Sequence, residues 1–174
     1  KEKWLESEIK RLKKSSTFEA DFNMLMIAIE TGLANIALIT NFSHNRIATV
    51  KKNIPGKRYE QSYRNKAYEE FFSDVSRILS EKIKSVKINT IIICGPGRTK
   101  NRFDQFIKEK SQIPNLPKTY CIQASSGTES AILETLKSKE LTSLKENVKF
   151  VLKTEKIESI MQLFATNSDL IATE

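Results

Sequence analysis

The sequence predicts an α/β fold: a mixed five-stranded sheet, an antiparallel three-strand meander followed by parallel strands, with helices on both faces. Two observations lead to this prediction. Three strand-like runs follow one another with only short turns between them, which is typical of an antiparallel meander. Two further apolar runs are each flanked by amphipathic helical patterns, which favours parallel pairing through right-handed crossovers.

The first two strands of the meander are almost continuously apolar, so the pattern predicts a sheet that is covered on both faces. A Thr-Gly pair separates the first strand from the second, and a short polar turn separates the second from the third. The predicted strands are Asn23–Glu30, Leu33–Thr40 and Arg46–Asn53.

Beyond the meander, apolar residues recur every three or four positions, which predicts helices. The longest helix is Tyr63–Ile83, with an apolar face of Ala67, Phe71, Val75, Ile78, Leu79 and Ile83. The remaining predicted elements are a strand, a helix, a second strand and a last helix: Lys87–Cys94, Thr99–Ser111, Thr119–Gln123 and Ser125–Leu136. The resulting order β-β-β-α-β-α-β-α is a ribonuclease-H-like order of elements, which by itself does not determine function.

Three regions are expected along the chain. Residues 1–18 are strongly charged, with a short helix over 3–14, and we interpret them as a linker helix or the tail of a missing N-terminal domain. Residues 19–143 form the central domain. Residues 144–174 are expected to form a linking helix, Leu144–Phe164, and the start of a missing C-terminal domain.

The composition favours a polyanionic partner, because the net charge is +8, from 29 Lys and Arg against 21 Asp and Glu. Cys94 and Cys121 each lie at the end of an apolar run and lack metal-ligand spacing. We therefore expect two free thiols in a reducing compartment and no metal site. No apolar run approaches the roughly 18 residues of a membrane span, so no membrane partner is expected.

The most informative stretch is residues 51–66, where a Pro-Gly break leads into a basic loop and then a helix. It carries one acid, Glu60, against six basic residues: Lys51, Lys52, Lys57, Arg58, Arg64 and Lys66. A basic loop at a hairpin tip is a place to bind phosphates, and six phosphate contacts would give a log–log salt slope of roughly −4 to −5. The alternative is a solvated hairpin tip whose charges prevent edge-to-edge aggregation.

A second basic segment follows Gly95-Pro96-Gly97, at a strand-to-helix turn. Backbone N–H groups at such a turn can face an anion, but the segment lacks the Gly-Lys-Ser/Thr ending of a nucleotide-binding loop. A tight structural turn is the preferred interpretation. The basic residues after it are expected to add a secondary basic surface: Arg98, Lys100 and Arg102.

Two catalytic interpretations are less well supported. Ser125-Ser126-Gly127 has no His partner nearby, since His44 belongs to a distant turn, so a helix N-cap is preferred to a nucleophile. Glu70 and Asp74 share a helical face, but Lys and Arg surround them, whereas a nuclease needs a carboxylate cluster for metal. A divalent metal is expected only under this nuclease alternative. Otherwise we predict no cofactor and no catalytic residue.

Four motifs, in order, resemble the central domain of the Pelota family. They are the hairpin sequence of residues 29–40, the Asn-Ile-Pro-Gly-Lys-Arg loop of 53–58, the Cys-Gly-Pro-Gly-Arg turn of 94–98 and the Gln-Ala-Ser-Ser-Gly turn of 123–127. Each motif alone is weak, but the four together, at these spacings, are specific. The resemblance extends over residues 19–140 as a whole domain.

The resemblance implies a non-catalytic domain of a factor that recognises stalled ribosomes in the A site and promotes subunit dissociation and mRNA surveillance in the cytoplasm. It also implies partners: ribosomal RNA and P-site tRNA, an Hbs-type translational GTPase and an ABC-type recycling ATPase. The related peptide-chain release factors carry Gly-Gly-Gln in the loop after the third strand. Here that loop contains Gly56 and Gln61 but no Gly-Gly-Gln, so peptidyl-tRNA hydrolysis is not expected. A release-factor-like activity and an RNA-processing endonuclease remain the alternatives.

Overall fold

The computed structural model describes residues 22–147, except for residues 42, 57, 59 and 112. Its centre is one five-stranded sheet in the order β3-β2-β1-β4-β5. The predicted strands are all present, with ends that shift by at most three residues. Their bounds are β1 Met24–Glu30, β2 Leu33–Ile39, β3 His44–Lys51, β4 Thr90–Gly95 and β5 Lys118–Gln123.

The pairing confirms the predicted mixed sheet. β1 pairs antiparallel with β2, and β2 pairs antiparallel with β3, with a register irregularity between Ile36 and Ala37. On its other edge β1 pairs parallel with β4, and β4 pairs parallel with β5. β1 is therefore the strand at which the meander joins the parallel half of the sheet, and its carboxyl end lies beside that of β4.

One face of the sheet is covered by α1, Gln61–Ser85, and α2, Thr99–Glu109. Alternate strand residues reach this face because side chains in a strand alternate between its two sides. Phe71, Val75 and Leu79 of α1 and Phe103 of α2 are fully buried there against Leu25, Ile27, Ile29, Ile91 and Ile93.

The opposite face is covered by α3, Glu129–Leu136, and by Leu141 from a helical segment over residues 139–147. Ala131 and Ile132 of α3 pack there with the other set of strand residues, which includes Met24, Met26, Ala28, Ile92 and Cys94. Both faces of β1 and β4 are thus buried, which confirms the predicted sheet with helices on both faces.

The buried face of α1 is wider than predicted. Tyr68 and Phe72 are buried together with Phe71, whereas Ala67, Ile78 and Ile83 are only half-buried. The reason is the neighbouring helix: the Phe72 ring lies 5.3 Å from the ring of Phe103 and 5.5 Å from that of Phe106, both in α2. Helix α1 therefore packs on a helix as well as on the sheet.

Both cysteines are free thiols, with Cys94 buried and Cys121 half-buried. Burial raises the pKa of each thiol, so neither is activated. No helix among the described residues is long and apolar enough to cross a membrane. The predicted helix over residues 3–14 and all but the first residues of Leu144–Phe164 lie outside the described residues. Residues 139–147 are helical, so this last helix begins before the predicted Leu144.

Candidate nucleic-acid interface

The basic segment leaves the sheet at the end of β3 and enters α1 at Gln61. Its start is tethered to the turn between β1 and β2, because the Lys52 N–H donates to the Gly32 carbonyl oxygen at 2.8 Å. The exposed basic residues that the structure describes in this segment are Lys51 at the end of β3, Arg58 in the loop and Lys66 in α1. Lys57 and Tyr59 lie outside the described residues. The loop thus presents basic side chains to solvent between two fixed elements.

Lys52 differs from these exposed residues because its charge is already paired. Its ammonium lies 2.9 Å from a carboxylate oxygen of Glu70 and 3.8 Å from one of Asp74, both in α1. The hydrogen bond with Glu70 raises the pKa of Lys52 and lowers the pKa of Glu70. This pair connects the base of the loop to α1. It also occupies the two carboxylates that the nuclease alternative requires.

Arg64, in the first turn of α1, lines a cleft together with basic residues from another part of the chain. The structure brings it together with Arg98 and Arg102 in an open cleft, so residues of the two predicted basic regions share one site. Between them is the buried ring of Tyr68, whose centroid is 4.3 Å from the guanidinium carbon of Arg102 and 5.7 Å from that of Arg64. Tyr68 was not among the predicted site residues. The four-residue spacing from Arg64 within a helix could have indicated it.

The expectation for Lys100 is corrected by the structure. Lys100 is only 7% exposed, and its ammonium donates to the Gly97 carbonyl oxygen at 2.8 Å and to Oε1 of Gln123 at 2.6 Å. The long side chain crosses from α2 to the end of β5 and fixes the turn before α2. It therefore stabilises this turn and does not contribute to a basic surface, unlike the exposed Arg98 and Arg102.

The turn of residues 123–127 is structural as well. The Ser125 hydroxyl and N–H both donate to the Glu134 carboxylate, at 2.5 and 3.2 Å, and lower the pKa of Glu134. The Gly127 N–H donates to Glu30 at 3.1 Å. The helix begins later than predicted, with Thr128 as its N-cap, and His44 is the first residue of β3 instead of a turn residue. Ser125 thus has a carboxylate partner from α3 and no imidazole.

Within the ranges that the structure describes, no three His, Cys, Asp or Glu side chains are grouped so that they could hold a metal ion. The basic side chains described above can bind anions by charge and hydrogen bonding.

The family comparison defines the class of protein, a domain of the release-factor type. Residues 23–146 match the family model described as eRF1 domain 2, and the chain belongs to this family. Within it, the predicted Pelota resemblance is confirmed. The chain is 28% identical over 171 residues to the protein pelota homolog of Thermococcus gammatolerans. The aligned residues make up 98% of this chain and 47% of that relative.

Solved structures show the same fold. The Thermoplasma acidophilum Pelota protein matches with a TM-score of 0.62 and 20% identity, and the match covers 97% of this chain and 48% of the Pelota chain. Saccharomyces cerevisiae Dom34 is described as a translation termination-like factor interacting with Hbs1. It matches with a TM-score of 0.55 and 17% identity, and the match covers 95% of this chain and 47% of the Dom34 chain. A model of ribosome-bound archaeal Pelota and ABCE1 matches with a TM-score of 0.57 and 25% identity, and the match covers 99% of this chain and 46% of the matched chain. The chain thus spans about half the length of these proteins.

Proposed function

We propose that this chain supplies the central domain of a factor that recognises stalled ribosomes in the A site and promotes the dissociation of their subunits. The observation that carries the proposal is the match of residues 23–146 to the eRF1 domain 2 family, together with relatives that are Pelota proteins. Residues 1–18 and 144–174 would then connect the central domain to flanking domains. The protein would act in the cytoplasm, where ribosomes translate and rescue is needed.

The basic loop is the proposed contact of this domain. Lys51, Arg58 and Lys66 are exposed, and Lys57 adds a charge to the same loop. These side chains would neutralise phosphates of ribosomal RNA or of P-site tRNA, or would contact acidic groups of the delivering GTPase. Lys52 would act differently, because its pair with Glu70 holds the loop base in place.

The partners proposed for the whole protein are those named for its structural relatives. Dom34 is described as interacting with Hbs1, and archaeal Pelota is described in a ribosome-bound model with ABCE1. By similarity, this protein would be delivered by an Hbs-type translational GTPase, and an ABC-type recycling ATPase would assist subunit separation. Binding and conformational change would then take the place of chemistry in this domain.

The domain is proposed to be non-catalytic. The loop after β3 has Gly56 but no Gly-Gly-Gln, the element that would place water for peptidyl-tRNA hydrolysis in a release factor. The carboxylates of Glu70 and Asp74, which a nuclease would need for metal, are paired with Lys52. These two observations support the proposal that the domain acts by binding.

The experiment that tests this function is a subunit-dissociation assay with stalled ribosomes, the complete protein, the GTPase and the ATPase. We expect separated subunits without release of free peptide from peptidyl-tRNA and without new RNA ends. Peptide release would support the release-factor alternative. Metal-dependent RNA cleavage that is lost in Glu70→Ala and Asp74→Ala would support the nuclease alternative.

A further inference from the structure

The arginine cleft, defined by Arg64, Arg98 and Arg102 around Tyr68, has a volume of about 830 Å³. It lies at the carboxyl ends of β1 and β4, beside Thr31 and the Pro96–Thr99 turn. Gly95 allows this turn to approach β1, since its φ is +148° and a Cβ there would lie 2.0 Å from the Ile29 carbonyl oxygen. Crevices outside the carboxyl ends of neighbouring parallel strands are common ligand sites in open α/β sheets.

The charges of the three cleft arginines are not neutralised by ion pairs within the described residues. Among the described residues, no carboxylate lies within ion-pair distance of any of them. The one carboxylate that lines the cleft, that of Glu30, accepts the Gly127 N–H. The Nε atom of Arg64 is buried without a hydrogen-bond partner in the described structure. The Arg64 guanidinium is therefore not saturated by hydrogen bonds within the described residues.

The Tyr68 ring contacts two arginines of the cleft, Arg64 and Arg102. The Arg102 guanidinium lies over its ring, which holds the planar group in position by a cation–π contact and leaves its edge N–H groups available. The Tyr68 hydroxyl is itself fixed by a 3.2 Å hydrogen bond with the Thr31 hydroxyl. Arg98 is the N-cap of α2, where no described side chain caps the helix and no acidic residue occupies the first turn. The first-turn N–H groups of α2 add further positive potential at the cleft.

We propose that the arginine cleft binds a phosphate group of RNA, as a second contact separate from the basic loop. Guanidinium groups and uncapped N–H groups are donors that bind the oxygens of a phosphate, and arginine can do so through two parallel hydrogen bonds. The cleft is much larger than one phosphate, so it accommodates a nucleotide backbone. The phosphate preference rests on this group of unpaired donors, whereas RNA as the source of the phosphate rests on the proposed function.

The direct test is an NMR titration of the 174-residue chain, in which the Nε–H signals of its arginines are followed during addition of inorganic phosphate and then of a short single-stranded oligouridylate. The signals of Arg64 and Arg102 are expected to shift with one common dissociation constant, tighter for the oligonucleotide than for phosphate. Arg77 is exposed on α1 outside the cleft and should not shift, which makes it the internal control. Equal shifts of all arginines, or none in the cleft, would overturn the proposal.

Variants then separate this cleft from the loop. Arg64→Gln and Arg102→Gln should each weaken oligonucleotide binding about ten-fold and lower the magnitude of the salt slope by about 0.7, with Arg77→Gln unchanged. Arg98→Lys keeps the charge but loses paired hydrogen bonding, so its effect should be smaller. Thermal melting of each variant confirms folding. Tighter binding of an acidic peptide than of RNA would overturn the RNA assignment.

The outcomes also distinguish this proposal from the proposed function. If a Lys57→Glu/Arg58→Glu variant loses ribosome binding while the cleft variants keep full RNA affinity, the cleft proposal fails and the proposed function stands. If the cleft variants lose RNA affinity while the complete protein does not bind ribosomes, the phosphate site stands and the proposed function fails.

Discussion

Lys52 and Glu70 form an ion pair that joins the end of the β meander to α1, with 2.9 Å between the ammonium nitrogen and a carboxylate oxygen. The pair lies at the base of the basic loop, where it connects the end of the meander to α1. The pair also separates the basic residues into two groups: a lysine that is neutralised within the domain, and exposed residues whose charge is available to a partner.

The first prediction concerns the pKa of Glu70. Lys52→Gln should raise it, because the hydrogen bond from Lys52 is the largest cause of its depression. Lys66→Gln is the matched control, since the weaker charge interaction of Lys66 acts in the same direction and should give a smaller rise. An NMR titration of the Glu70 side-chain carboxylate measures both. An equal effect of the two variants would show that the pair does not form in solution.

The pair also predicts how stability depends on pH. The pKa of Glu70 is lower in the folded state, so its contribution is present above the unfolded pKa and is lost as the pH falls through the folded pKa. Glu70→Gln should therefore lower the free energy of unfolding at neutral pH and have little effect once the carboxylate is protonated in both states. Urea unfolding of both proteins over this range tests the sign. A difference that persists unchanged in acid would contradict it.

Gly95 should tolerate no side chain. In Gly95→Ala the new Cβ would lie 2.0 Å from the Ile29 carbonyl oxygen, with backbone at φ +148°. We expect a loss of about 3 kcal/mol or more in the free energy of unfolding. Gly56→Ala is the control, because a Cβ there meets nothing within 4 Å, and it should change stability by at most about 0.5 kcal/mol. Similar losses in the two variants would refute the close approach of the turn to β1.

Asn35 should be important for joining β2 to the turn before α3. Its buried amide donates to the Gly127 carbonyl oxygen at 2.7 Å and accepts from the Thr49 hydroxyl at 2.6 Å. Asn35→Ala should cost about 1–3 kcal/mol in the free energy of unfolding, because it leaves a buried carbonyl without its donor. Asn65→Ala, at an exposed position of α1, is the control and should be near neutral. Equal effects in chemical denaturation would contradict the bridge.

The two neighbouring lysines should differ in ribosome binding. Lys51 is exposed and unneutralised by any ion pair within the described structure, whereas Lys52 is paired with Glu70. Lys51→Gln should therefore weaken binding and lower the salt slope by about 0.7–0.9, while Lys52→Gln should change the slope less. Cosedimentation at several salt concentrations measures the slopes. A larger slope change for Lys52→Gln would indicate that the pair opens when the domain binds.

The sheet and its covering helices could be predicted because their signals are local. Apolar runs in the first two strands indicated a sheet covered on both faces, and short turns indicated the meander. The buried face of α1 was less predictable, since Phe72 is buried by α2, and the position of α2 depends on the turn at Gly95. The contacts that decide this face join residues far apart in the chain.

The basic character of the site could also be predicted, but the division of its residues could not. Charge alone does not distinguish exposed Lys51 from paired Lys52, or exposed Arg98 from buried Lys100. The grouping of Arg64 with Arg102 depends on the packing of α1 beside α2 around Tyr68. Such groupings follow from tertiary structure and leave only weak traces in the sequence.

The most direct test of the central claim is cosedimentation of the complete protein with ribosomes whose A site is empty, with and without the Hbs-type GTPase. Wild type is compared with Lys57→Glu/Arg58→Glu and with the control Arg77→Glu. We predict that wild type and the control bind, and that the loop variant binds weakly with a reduced salt slope. Absence of wild-type binding under all these conditions would contradict the assignment as a ribosome-rescue factor.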